Sequence, residues 1–418
     1  MTSKETDGSA IGNSAVPFLT LDALERSRRG PGAGSGAGSG AGSGAGSVRK
    51  SGPRAIIDLR APVEFEVDHM EGAINVPLFE NETRSFVGML YKQVSPEAAF
   101  QEARQRVVER IEGIARQVAD AVGWDLPEDD LVGRVRAMTS GGIAQLEAEL
   151  VPRAIDELPE DAVIFSCARG GLRSRSVVAL MRALGFESAV GLMGGYRSHR
   201  QFVISTLEAW PAPPHVFALR GLTGTGKTLL LRAIEDLRPG WTLDLEGAAG
   251  HRSSLLGMVG LKPTTQKAFE SALAARATRG FADGVCIIEG ESRKVGDAVV
   301  PKSMWEALQA AVNVEVTAPI PRRVAVLSED YLADPASRPR LRAQLEAVSA
   351  RMEGAPDLAG MLDRDEIDPL VETLLERYYD PLYLHGEKGK AYALSVENLD
   401  ERDAAQALVD WIEARIGG

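Results

Sequence analysis

The chain has 418 residues, 44% hydrophobic and 25% charged, which is enough for two or three globular domains and excludes a disordered chain, a collagen or a disulfide scaffold. Lys and Arg number 47 against 59 Asp and Glu, a net charge of −12, so bulk charge does not draw the chain to nucleic acid and any RNA contact needs a local basic patch. Two cysteines, Cys167 and Cys286, form no framework and suit a reducing compartment.

Apolar runs fall far short of the ~18 residues a membrane span needs, and the polar first residues lack the apolar stretch of a signal peptide. A cytoplasmic protein with no membrane partner is expected; oligomeric state is not readable. A short apolar stretch at 16–24 is followed by four GAGS repeats over 32–47, a flexible tether reaching roughly 20–25 Å. Strand-like runs at 55–59, 72–76, 163–166 and 188–192 then alternate with helical patterns at 96–122, at 131–155 (one or two helices) and at 172–184. Alternation of this kind predicts a parallel α/β domain over 14–208. The rigid Trp210-Pro-Ala-Pro-Pro214 breaks the pattern. A second α/β series fills 214–418, with strands at 216–219, 241–245, 285–288 and 312–316, a helix at 227–237 and a mostly helical end from 368 to 416.

The strand at 163–166 runs into Cys167-Ala168-Arg169-Gly170-Gly171-Leu172-Arg173-Ser174-Arg175, where a helix opens. A thiolate is the reactive form of cysteine, and glycine-freed N–H groups with a helix start favour it. Arg169 and Arg173, with Gly170, Gly171 and Ser174, add charge and donors suited to an anionic sulfur, selenium or phosphate donor. Upstream lie Ile56-Ile57-Asp58-Leu59-Arg60, Glu64-Phe65 and His69-Met70-Glu71-Gly72-Ala73-Ile74-Asn75-Val76-Pro77; downstream lies Gly194-Gly195-Tyr196. Together these resemble a rhodanese domain. The resemblance implies that Cys167 is the cysteine that carries sulfur or selenium, gives Asp58 and Arg60 supporting roles, and leaves His69 structural. The helical segment at about 96–155 is an insertion that a minimal rhodanese domain lacks, either a docking surface for a large substrate or decoration. Its Arg104, Arg106 and Arg110, interleaved with Glu102 and Glu109, read as a solvated face.

Gly221-Leu-Thr223-Gly224-Thr225-Gly226-Lys227-Thr228 fits G-x-x-x-x-G-K-[ST] between a strand and a helix. In that context backbone N–H groups wrap a diphosphate, Lys227 reaches its terminal oxygens and Thr228 can hold Mg²⁺. Further along, Asp244 and Glu246 follow one strand, His251 and Arg252 come next, and Glu289, Glu291 and Arg293 follow another. Ligands collect at such strand ends. Cys286, inside that strand, reads as core.

A rhodanese domain followed by a P-loop domain, with Tyr91-Lys92-Gln93, Asp244-Leu245-Glu246-Gly247, Gln266-Lys267 and Phe269-Glu270, resembles the tRNA 2-selenouridine synthase family. The resemblance implies an enzyme that geranylates the wobble 2-thiouridine of tRNA with geranyl diphosphate. It then replaces the S-geranyl group by selenium from selenophosphate. It implies no tightly bound cofactor beyond Mg²⁺ and a partner reaction that supplies selenophosphate. Here Ser253-Ser254-Leu255-Leu256-Gly257 follows His251-Arg252 where the family has Gly-Ser and then Phe-Gly. The residues alone leave open whether sulfur or selenium is the cargo, whether the P-loop takes geranyl diphosphate or a nucleotide, and which tRNAs are used. They also leave open a plain sulfurtransferase with a regulatory P-loop domain. Between Cys167 and Arg200 six arginines (169, 173, 175, 182, 197, 200) face one glutamate, the local basic patch an RNA substrate requires.

Overall fold

The computed structural model describes residues 15–29, 53–252, 261–290, 292–332, 335–352, 354, 356–382 and 389–417. The GAGS tract, Ser253, Ser254 and Glu291 lie outside the described residues. The chain divides into two compact units, Met1–Val203 and Ile204–Gly418.

The first unit holds β1 (Val16–Leu19), α1 (Leu21–Arg29), β2 (Ala55–Asp58), α2 (Pro62–Val67), β3 (Ala73–Asn75), α3 (Asn81–Gln93), α4 (Pro96–Val122), α5 (Leu131–Met138), α6 (Gly142–Glu149), β4 (Pro152–Ile155), β5 (Val163–Ser166), α7 (Leu172–Ala183) and β6 (Ala189–Leu192). Helix α8 (Gly195–Glu208) starts in it and crosses the division. Six parallel strands run in the order β3-β2-β5-β6-β1-β4. Strands β1, β5 and β6 are buried at every position, the signature of a parallel sheet covered on both faces.

The expected long helix is α4. Ser95 caps it by accepting from Ala98 N, and Gly123 ends it in the left-handed conformation. The helical reading of 131–155 needs correction at its end. Residues 152–155 form β4, the edge strand beside β1. Pro152 stands at the start of that strand, a place an edge tolerates. Pairing with a partner more than 130 residues away outweighs local propensity here. The insertion is not decoration on the sheet. Ile111, Ile114, Val118, Val122, Leu131, Val135 and Leu146 share one core with Phe18, Ile57 and Phe165. On its outer side Arg106 pairs with Glu102 and Arg110 with Glu80, both exposed.

The second unit holds β7 (His215–Arg220), α9 (Lys227–Leu237), β8 (Thr242–Leu243), α10 (Leu245–Ala249), α11 (Gln266–Arg279), β9 (Val285–Glu289), the hairpin β10 (Lys294–Val295) and β11 (Ala298–Val299), α12 (Lys302–Ala310), β12 (Val312–Thr317), α13 (Ile320–Leu332), α14 (Arg338–Ser349), α15 (Leu358–Asp363), α16 (Ile367–Leu374), β13 (Leu394–Glu397) and α17 (Glu401–Ile416). Five parallel strands run β13-β12-β7-β9-β8. Two sequence readings are corrected. The strand expected over 241–245 is only two residues long, because Asp244 caps α10 by accepting from Gly247 N. The helical end contains β13, whose Leu-Ser-Val-Glu alternates partly and fully exposed positions with one buried valine and pairs with β12. Helices α13 to α16 pack around a separate core of Val324, Leu327, Leu345, Leu358, Leu370 and Tyr379.

Candidate active sites: a thiolate loop and a diphosphate loop

Strand β5 lies between β2 and β6, with Ser166 in register with Asp58. Cys167 therefore leaves the sheet at the carboxyl end of a central strand. Its thiol is buried, 2% exposed. Burial alone pushes a thiol up, yet the Cys167 thiol lies below its ordinary range. The Arg173 charge, a hydrogen bond with Ser174 Oγ and the backbone N–H groups of Arg169 and Ser174 together outweigh desolvation. The Sγ–Oγ distance is 3.2 Å, with Gly171 O also 3.2 Å from the same hydroxyl and competing for its one proton. Gly171 is the N-cap of α7, so the sulfur sits against the positive end of that helix. Arg175 Nε donates to Gly170 O, and Arg169 projects outward, exposed.

The far side of the loop is closed by the start of α8. Tyr196 N donates to Cys167 O at 2.8 Å and Arg197 N to Ala168 O at 3.0 Å. Gly195 makes this approach possible: it has φ +56, and a Cβ there would lie 2.1 Å from Cys167 O.

Asp58 and Arg60 are both buried and form a two-pronged ion pair, with Arg60 Nη2 2.7 Å from Asp58 Oδ2. Arg60 also donates to Asp68 O and lies 3.7 Å over the Tyr196 ring. The pair thus supports the segment that clamps the thiol loop, and neither side chain touches the thiol. Asp68, which the sequence did not single out, is the hub: buried, it accepts from Tyr196 Oη at 2.7 Å and pairs with Arg200 at 3.4 Å. His69 stacks on Phe65 and contacts Phe65 O, as its structural reading required. The basic patch is thinner than its sequence, since Arg182 is held by Glu187 and Arg200 by Asp68. Arg169 and Arg197 stay exposed.

In the second unit the loop after β7 has the expected shape. Lys227 Nζ lies inside it, 2.9 Å from Gly221 O, and Thr225 Oγ1 donates to Leu222 O. Gly224 and Gly226 have φ +80 and +78. Thr223 Oγ1 is buried with no hydrogen-bond partner, an acceptor-seeking hydroxyl of the kind a phosphate oxygen satisfies. Register places Glu289 level with Leu219 beside the loop. Glu289 is fully buried and accepts from Thr228 Oγ1 at 2.8 Å through one oxygen, and from Leu245 N and Glu246 N through the other. Thr228 Oγ1 also lies 3.0 Å from Glu246 Oε2. Among the described residues no three His, Cys, Asp or Glu side chains form a metal cluster. A hydroxyl with two carboxylates beside a phosphate loop nevertheless matches the donor set Mg²⁺ takes when phosphates supply the rest.

Residues 214–362 match the family model described as the tRNA 2-selenouridine synthase AAA domain. A tRNA 2-selenouridine synthase of Cupriavidus necator is 30% identical over 390 residues, covering 86% of this chain and 94% of that protein. One of Nitrosomonas europaea is 28% identical over 86% of this chain and 94% of its own length. One of Chromohalobacter salexigens is 33% identical over 67% and 65%. The chain belongs to the tRNA 2-selenouridine synthase family.

For this family member, the remaining residues expected at the diphosphate site divide. Asp244 serves as the cap of α10. His251 N donates to Glu246 O, which ties that segment to the loop carboxylate, and burial lowers the His251 ring pKa. Arg252 pairs with Asp330 on α13. Arg293 is exposed, and its carbonyl accepts from Val300 N. Gln266 binds the backbone of Val299 through both amide atoms, fixing the β11 edge. Cys286 is core: burial pushes its thiol up to about 12. Two loop supports were not legible in the motif. Asn398 Nδ2 donates to Thr225 O, and Arg323 Nε donates to Thr223 O while its other nitrogens grip Asp380. Among the described residues no helix is long and apolar enough to cross a membrane.

Proposed function

We propose that this member of the tRNA 2-selenouridine synthase family converts the wobble 2-thiouridine of tRNA to 2-selenouridine in the cytoplasm, in two steps that use its two anion sites separately. The observation that carries the reading is a buried thiol held below its ordinary range by Arg173 and a helix start, in a chain that also has a complete diphosphate loop.

In the first step the 2-thiouridine sulfur attacks C1 of geranyl diphosphate; the C–S bond forms and diphosphate leaves. The charge that develops is on the diphosphate, where Lys227, the loop N–H groups and Thr223 are aimed. Thr228, Glu246 and Glu289 would hold Mg²⁺, which when bound neutralises charge on the leaving diphosphate. In the second step selenium from selenophosphate bonds to C2 of the base, the C2–S bond breaks and geranylthiolate leaves. Water takes up the phosphoryl group, so no external oxidant or reductant is needed. Arg169 and Arg173 hold the donor's phosphate oxygens, and the Cys167 thiolate takes the proton of the donor's Se–H as selenium attacks C2 and returns it to the leaving geranylthiolate. Alkylation makes exchange feasible because a thioether sulfur leaves more readily than a thiocarbonyl sulfur.

The test is an omission series. The purified protein is incubated with 2-thiouridine tRNA, geranyl diphosphate and selenophosphate, each left out in turn, and the nucleosides are analysed by mass. The expected products are S-geranyl-2-thiouridine without selenophosphate and 2-selenouridine only with all three. Formation of 2-selenouridine without geranyl diphosphate would refute the two-step order.

A further inference from the structure

The first unit contains a cavity of about 100 Å³ beside the thiol helix. Its walls are Phe100 and Val107 of α4, Val135 and Met138 of α5, Leu180 of α7, and Phe79. Thr139 also borders it, but its hydroxyl is spent on Val135 O. A chamber so lined holds apolar matter rather than ordered water. A water-sized group needs ~10–15 Å³, so the space takes about seven to ten such groups. Arg173 forms part of the wall; the next residue of α7, Ser174, lies 3.2 Å from the Cys167 sulfur, and the Arg173 charge favours the thiolate. The cavity therefore adjoins the exchange site, and α4 and α5 of the inserted segment supply much of its wall.

We infer that this cavity receives the C10 isoprenoid chain of the S-geranyl group while the C2–S bond is exchanged at the thiolate loop. The inference rests on the two-step reading above. Arg104, Arg173 and Ser176 also line it but show almost no polar surface there, so a base or ribose would leave most of its polar edges unpaired against these walls. A chain of about ten carbons fits the space, and its sulfur end must lie where selenium replaces it. The insertion is then the device that lets a sulfur-handling fold bind a prenylated base.

The experiment uses the full chain and an anticodon stem-loop RNA bearing S-geranyl-2-thiouridine, with selenophosphate. Ala103, a small residue of the wall, is replaced by Ala103→Phe to fill the chamber. The expected result is a KM for the S-geranyl RNA raised at least tenfold, with the rate of Cys167 alkylation by iodoacetamide unchanged. An unchanged KM overturns the inference. A second measurement needs no variant: the native protein should bind the S-geranyl RNA at least tenfold tighter than the same RNA carrying an S-methyl group, and equal affinities also overturn it. Failure of the native protein to form any 2-selenouridine from the S-geranyl RNA would refute the proposed function instead, while the binding comparison would still decide the cavity.

Discussion

At Cys167 two opposed effects meet and the attractive one wins. Burial raises the thiol, while Arg173, Ser174 and two backbone N–H groups lower it further than burial lifts it. Removing the charge in Arg173→Gln takes away the largest of the lowering effects, so the pH midpoint of Cys167 alkylation should move upward; an unmoved midpoint would show that the guanidinium does not set the thiolate. His199 is the converse case. It is buried with neither ring nitrogen hydrogen-bonded, and burial chiefly pushes its pKa down to about 4, with Arg28, Arg200 and Arg60 adding to the effect against Asp68. Its folded-state pKa lies below the unfolded value of ~6.5. The unfolded chain therefore takes up the proton first as pH falls, and stability present above pH ~6.5 is lost towards pH ~4, by about 3 kcal/mol at most. His199→Phe should remove that loss, seen as a shallower fall in thermal midpoint between pH 7 and 5. A fall as steep as in the native chain would refute it. The reactive cysteine was legible because Arg169, Gly170, Gly171 and Arg173 crowd the eight residues after it. Asp68 was not, because its partners Tyr196 and Arg200 lie more than 120 residues away.

At the scale of elements, each loop is held by a neighbour that approaches too closely for a side chain. The start of α8 grips Cys167 O and Ala168 O across Gly195. Gly195→Ala would place a Cβ 2.1 Å from a carbonyl oxygen in a left-handed conformation. It should cost a few kcal/mol and slow Cys167 alkylation; a native rate in a folded variant would count against the clamp. In the second unit Asn398 braces Thr225 O, and a Cβ on Gly226 would meet its amide at 2.6 Å. Asn398→Leu removes the donor to Thr225 O at 2.9 Å and to Gly226 O at 3.4 Å; at about 1 kcal/mol for the shorter bond, diphosphate affinity should fall roughly fivefold or more, as read by calorimetry with inorganic diphosphate. The boundaries of α4 and α9 could be read from the sequence because a cap, a glycine or a phosphate-loop motif marks them. Strands β4 and β13 could not, because each is a four-residue strand on a sheet edge whose identity comes from a remote partner.

Across the whole molecule a net charge of −12 has to coexist with an RNA substrate. Only a local patch can do this, and Arg169 and Arg197 are its exposed members beside the thiol loop. Binding of tRNA should weaken linearly in log salt, and each of Arg169→Ala and Arg197→Ala should reduce the slope by up to about 0.9; slopes unchanged from the native protein would move the RNA elsewhere. The fold class of both units followed from alternating strand and helix patterns. The role of the insertion did not, since only packing shows that its helices join the core and line a cavity. On the proposed function, alkylation and selenium exchange use different anion sites. The most direct measurement supplies each step separately to Lys227→Ala and Cys167→Ser proteins and analyses the nucleosides by mass. Lys227→Ala should fail to geranylate 2-thiouridine yet still convert supplied S-geranyl RNA to 2-selenouridine, and Cys167→Ser should do the reverse. Selenium exchange at the native rate by Cys167→Ser would show that the thiol takes no part in it.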